Sequence, residues 1–199
     1  MKSLVFSVLL LAGFSLYSQP SMLFTSQFAG STGFLTFGLG VQNQAQKLQH
    51  ELMYGFVPDH YGGPIDKLTY RFTWMPFKVN LCTKRTWLPF NPVAFVGYNL
   101  GKQYTLFPSY KKYDSEYYWW STAVRFHVGF NTAIHFNTPT SKGAVMVYLE
   151  ANTNDRYITT YWDNYTNKGL RDLFYLGLGT KLNVSALYRS KSTNQNHKK

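Results

Sequence analysis

Six ionisable side chains stand inside segments that otherwise alternate apolar and polar residues: Glu51, Arg71, Arg125, His127, Glu150 and Lys181. Alternate residues of a strand share a face. Each of the six falls on the polar face of its segment. An unpaired buried charge costs several kcal/mol. If the polar faces converge, Arg71, Arg125 and Lys181 need partners, and Glu51 and Glu150 are the acids on the same faces. The expectation is an interior polar network of all six, joined by Tyr148. Such a network either gates a pore or closes off a barrel interior. About eight strands leave room for side chains and hardly for a channel, which favours closure.

Other constellations carry less. Ser121, Arg125 and His127 share a face, with Glu150 available opposite. Ser121 and His127 are six residues apart, about 20 Å along a strand, so they cannot share a proton. His50, His60, His127, His135 and His197 lack metal-ligand spacing. The stretch from Asp155 to Asp163 has too few acids for a calcium loop. No metal and no cofactor is expected. Two groups of loop aromatics form a possible binding surface. Tyr104, Tyr110 and Tyr113 interleave with Lys102, Lys111 and Lys112, and Tyr161 and Trp162 sit with Tyr157 and Tyr165. Such rings suit glycan or protein contacts. They equally suit an interfacial girdle.

The elements that position these residues are strands. Leu35, Phe37, Leu39 and Val41 alternate with Thr36, Gly38 and Gly40. The same period runs through 48–56, 68–74, 123–131 and 145–150, and through a last strand from Phe174 to Tyr188. The segment 91–100 reads as a strand with two apolar faces, and a short strand at Met22–Phe28 would make eight. No helix of useful length is visible. Gln42–Lys47 and Asn137–Lys142 read as short turns, and Leu81–Asn91 as a longer connection on the same rim. Pro58–Asp66, Gly101–Tyr117 and Asp155–Arg171 read as long loops on the opposite one.

Composition supplies the compartment. Lys2, an apolar run from Leu4 to Leu16 and a polar exit at Tyr17-Ser18-Gln19 read as a signal peptide over residues 1–19. The run is too short to span a bilayer. The Tyr-Ser-Gln ending resembles signal peptides of Bacteroidetes-type bacteria. The barrel domain is then 20–188, followed by a disordered basic tail at 189–199. Cys82 is the only cysteine, so no intrachain disulfide can form; a buried small residue is expected there. The net charge is +11, but a secreted chain would rarely meet nucleic acid, so anionic lipid or lipopolysaccharide is the expected partner. Charged residues are 15%, against about 25% in soluble domains, while aromatics reach 19%.

Alternation alone does not say which face is outside. The polar face holds glycines beside charges, as a cramped interior would. The apolar face carries no charge over whole strands. Aromatics gather at strand ends, at Tyr54 and Phe56, Trp87 and Phe90, and Tyr117 to Trp120. In alternation, Gly-x-Gly strands and an aromatic-terminated last strand, the chain resembles small, about eight-stranded outer-membrane β-barrels. The resemblance implies an all-β, closed antiparallel up-and-down transmembrane barrel in the bacterial outer membrane. Its oligomeric state stays open. The leading function is non-enzymatic: structural, or binding and adhesion through outer loops. One alternative is an envelope lipid-modifying enzyme. No His-x-Ser pair of the deacylase type occurs, and a palmitoyltransferase type would use Asp59-His60 with Asp114-Ser115. The other is a soluble, lipocalin-like carrier of an apolar ligand.

Overall fold

A chain segment with two unlike faces needs a different environment on each side, and a sheet closed on itself gives every strand both at once, with no open edge. The computed structural model describes residues 20–106, 121–138, 141–163 and 173–185. They form nine strands: β1 (Ser21–Ala29), β2 (Leu35–Gln42), β3 (Leu48–Val57), β4 (Ile65–Trp74), β5 (Val79–Cys82), β6 (Arg85–Leu100), β7 (Val124–Thr138), β8 (Ser141–Asn154) and β9 (Tyr175–Asn183). All but β5 close into an eight-stranded antiparallel barrel, with β1 bonded to β2 and β9, and β4 to β6.

The strand β1 completes the count of eight. Four expectations need correction. The connection at Leu81–Asn91 is largely strand: β5 and the start of β6 form a hairpin, pairing Val79 with Trp87 and Cys82 with Arg85. Cys82 is exposed there, since β5 lies outside the barrel wall. The last strand ends at Asn183, and Val184 and Ser185 are helical. A helix, α1 (Asp155–Asp163), follows β8 where a loop was expected. Its start is readable in retrospect: the Asn154 side chain accepts from the Tyr157 backbone N–H at 2.8 Å, a side-chain cap, and Asp155 opens the first turn. The β-branched and aromatic run Tyr157–Trp162 masks the signal, because such residues are weak helix formers.

Both strand ends nearest the chain termini, Ser21 and Asn183, lie on one rim, here the lower. The lower rim carries the turn at 43–47 and the β5–β6 hairpin. The upper carries the connections after β1, β3, β6 and β8. The wall is uneven in height: β6, β7 and β8 have 16, 15 and 14 residues, and β1, β2, β3, β4 and β9 only 8 to 10. A register shift against β7 between Leu88 and Asn91 lies just below the point where the pairing of β6 with the shorter β4 ends, at Thr73–Val93. Residues 1–19, the loop tyrosines Tyr110, Tyr113 and Tyr117, Trp119 and Trp120, Asp114-Ser115, part of the Asn137–Lys142 turn, Tyr188 and the tail 189–199 lie outside the described residues.

Polarity is inverted relative to a water-soluble domain. Thr25, Gln27, Gln49, Glu51, Arg71, Glu150 and Lys181 are buried inward. Leu39, Leu52, Val128, Phe130 and Leu178 face outward and are exposed. The segment 91–100 is oriented at last: Val93, Phe95 and Gly97 point in, and Ala94, Val96 and Tyr98 point out. A small apolar cluster of Met75, Leu88, Ala133, Met146 and Tyr148 fills the lower lumen. The Tyr148 ring lies across Gly179, its register partner on β9, where any Cβ would overlap it. Gly179→Ala should therefore destabilise the barrel by about 1–3 kcal/mol, read by urea unfolding in detergent micelles. An unchanged midpoint would mean that the ring relaxes freely.

Candidate functional site

The centre of the lumen is an electrically balanced cluster. Arg71 on β4 donates from Nε to Glu51 Oε2 at 2.9 Å and from Nη1 to Glu150 Oε2 at 3.2 Å. Lys181 on β9 donates from Nζ to the same Glu51 oxygen at 2.7 Å. Two cations thus meet two carboxylates, with side chains at most 1% exposed. Burial in low dielectric makes each pairing strong and each loss costly. Neutral groups complete the shell. Thr25 donates to Glu51 Oε1, Asn152 to Glu150 Oε1 at 2.9 Å, and Arg71 Nη1 to Gln27 Oε1 at 2.8 Å. Tyr148 accepts from Arg71 Nη2 at 3.1 Å and donates to Gln27 at 2.7 Å. Its ring face also lies 5.3 Å from the Arg71 guanidinium carbon and 5.2 Å from Lys181 Nζ. Five strands, β1, β3, β4, β8 and β9, are tied across the lumen, which these side chains fill.

Of the six side chains expected to form one network, four meet here: Glu51, Arg71, Glu150 and Lys181. Arg125 and His127 stand apart, nearer the upper rim. Arg125 Nη1 pairs with Asp155 Oδ2 on α1 at 3.3 Å and is partly exposed. His127, two residues deeper along β7, is 2% exposed, and its ring stacks on Phe95 with centroids 4.5 Å apart. Neither of its nitrogens has a hydrogen-bond partner among the described residues.

Both line a cavity of about 650 Å³ at the upper end of the lumen. Lys67 on β4, Asn99 on β6, Asn154 on β8, Tyr61, Tyr104 and Tyr157 also line it. Lys67 Nζ donates to the Ser31 carbonyl at 2.7 Å. Gly97 makes room: a Cβ there would sit 3.4 Å from Lys67 Cε and 3.6 Å from His127 Nε2. Lys67, Arg125 and Arg156 bring three positive charges to the lining, and no carboxylate lines it among the described residues. Asp155 is the nearby acid among the described residues, and its Oδ1 has no hydrogen-bond partner among them.

The sequence-based candidates divide accordingly. Ser121 is no partner of His127: its Oγ donates to the Thr105 carbonyl at 2.9 Å and accepts from the Ala123 and Val124 amides. Asp59 and His60 sit in an exposed single turn on the upper rim. Of the loop tyrosines, Tyr104 reaches the cavity, whereas Tyr161 and Trp162 do not line it, and Trp162 is 79% exposed. Lys67 and Asn99 were missed. The signal was present, since each extends an inward series by one step, Lys67 before Thr69 and Arg71, and Asn99 after Phe95 and Gly97.

The two settings predict different costs. Glu51→Gln leaves Arg71 and Lys181 short of a counter-charge and should lose about 3–5 kcal/mol. Arg125→Ala breaks a part-exposed pair and should lose no more than about 1 kcal/mol. Urea unfolding in micelles compares them, and equal losses would sink the distinction. Comparison of the chain with known protein families, with characterised proteins and with solved structures found no match.

Proposed function

We propose that this chain is an integral outer-membrane β-barrel, non-enzymatic and closed to conduction, which binds through the rim formed by its longer connections. The observation that carries the reading is the polarity of the wall. Mid-strand Leu39 and Leu178 are 62% and 54% exposed, while Arg71, Glu51, Glu150 and Lys181 are sealed inside. Water would penalise that exterior: contiguous apolar surface beyond a few hundred Å² is rare on soluble monomers. A hydrocarbon surround reverses the sign. A soluble carrier of an apolar ligand needs an apolar lumen, and this lumen holds two cations and two carboxylates at its centre.

Further features support the reading. Outward aromatics stand towards strand ends, Phe56 and Tyr98 at the upper rim, Trp74 and Trp87 below, where amphipathic rings suit a membrane interface. The two longest connections, after β6 and β8, both lie on the upper rim, as the long loops of such barrels share one rim. The signal-peptide pattern of residues 1–19 supplies the export route. The neutral lumen cluster closes the bore, which speaks against a pore.

The test begins with the outer-membrane fraction of expressing cells. Unboiled protein should run as a compact species in detergent gels and shift on boiling, since closed barrels resist cold detergent. Leu39→Arg would place a cation on the lipid face near mid-strand, at a cost of about 2–4 kcal/mol. The assembled, heat-shifting fraction should fall accordingly. Protein found in the soluble periplasm without a shift, and indifferent to Leu39→Arg, would overturn the membrane reading.

A further inference from the structure

The upper cavity has a feature that closing a barrel does not require. His127 is buried to 98%, is one of the residues lining the cavity, and leaves both nitrogens without partners among the described residues, although unsatisfied buried polar atoms are costly. Lys67 and Arg125 flank it. The central cluster balances its charges; this one does not. Among the described residues its cations outnumber the nearby acid, Asp155, which already holds Arg125. An anion would supply the missing counter-charge and accept from the imidazole N–H.

We propose that the cavity binds a phosphomonoester carried on a hydroxylated body. A phosphomonoester brings about −1.5 to −2 charge and three strong acceptor oxygens. That matches the ammonium of Lys67, the guanidinium of Arg125 and a ring N–H of His127 better than a single carboxylate does. Arg is suited to forked contact with such oxygens and Lys to a point charge. Above this end, the amides of Asn99 and Asn154 and the phenols of Tyr61, Tyr104 and Tyr157 line the cavity, a set suited to hydroxyls and sugar faces. The ligand is either the phosphorylated head group of an outer-leaflet lipid or a free phosphosugar; the chemistry recognised is the same. The proposal deepens the rim-binding reading and rests on it.

The test uses the full barrel, stripped of lipid and held in a detergent without phosphate. The His127 ring nitrogens are followed by long-range proton–nitrogen NMR while glucose 1-phosphate, and separately glucose, is added. Glucose 1-phosphate should shift them saturably and glucose should not. Lys67→Gln with Arg125→Gln should weaken the affinity at least about tenfold. No saturable shift with glucose 1-phosphate overturns the site, as does an equal response to glucose or an unchanged affinity in the double variant. Phosphorus analysis of lipid extracted from the protein before stripping separates the sources: lipid phosphate retained by the parent and lost by the variant identifies a head group, and its absence from a responding parent identifies a soluble ligand. Gel mobility with and without boiling is run on the same samples. A retained heat shift without binding refutes only the site, and a lost shift refutes the barrel reading beneath it.

Discussion

Arg71 is the group on which the barrel's interior depends. Its guanidinium reaches residues of β1, β3 and β8 at once, through Gln27, Glu51, Glu150 and Tyr148. A closed eight-stranded wall leaves a lumen too narrow for bulk water and too polar for hydrocarbon. Any charge placed there must be cancelled by a side chain from another strand. Two carboxylates answer two cations, and Thr25, Asn152 and Tyr148 fill the remaining valences. Geometry follows from that balance. A one-residue slip of β4 or β9 would turn Arg71 or Lys181 outward and leave a carboxylate alone inside, so the cluster also holds the register.

Below and above this layer the lumen is built differently. Below, Met75, Leu88, Ala133 and Met146 pack as an ordinary core. Above, an aromatic ring and an imidazole stack under a cavity rich in cations. Stability is thus concentrated in the middle and lower lumen. The upper end keeps space and unsatisfied donors, the combination that recognition needs and that packing avoids.

Much of this was legible from a period of two. Glu51, Arg71, Glu150 and Lys181 could be placed on inward faces because each is out of phase with the apolar residues of its segment, as with Tyr70 and Phe72 around Arg71, and Leu52 and Leu182 beside Glu51 and Lys181. Their depth was not legible. Strand alternation gives a side and no height, so Arg125 and His127 were grouped with residues that lie below them. The orientation of 91–100 was hidden because Phe95 faces in as well as Val96 out: a stacking partner for His127 breaks the polar rule of the inner face. The helix after β8 was obscured by residues of weak helical preference, whose first turn depends on the Asn154 cap rather than on propensity. Lys67 and Asn99 were lost at strand ends, where alternation is shortest and least persuasive.

The unequal wall has one more consequence. Strands β6 to β8 exceed the others by about five residues, roughly 17 Å along the strand. A bilayer of uniform thickness cannot match both flanks of such a cylinder. In the proposed membrane setting the axis would tilt towards the short side, or the lipid beside one flank would thin or thicken, each at a small cost per ångström. If the barrel spans a membrane as proposed, it has a preferred lean and two unlike lateral faces, and anything diffusing past it in that plane meets a lopsided object rather than a symmetric pillar.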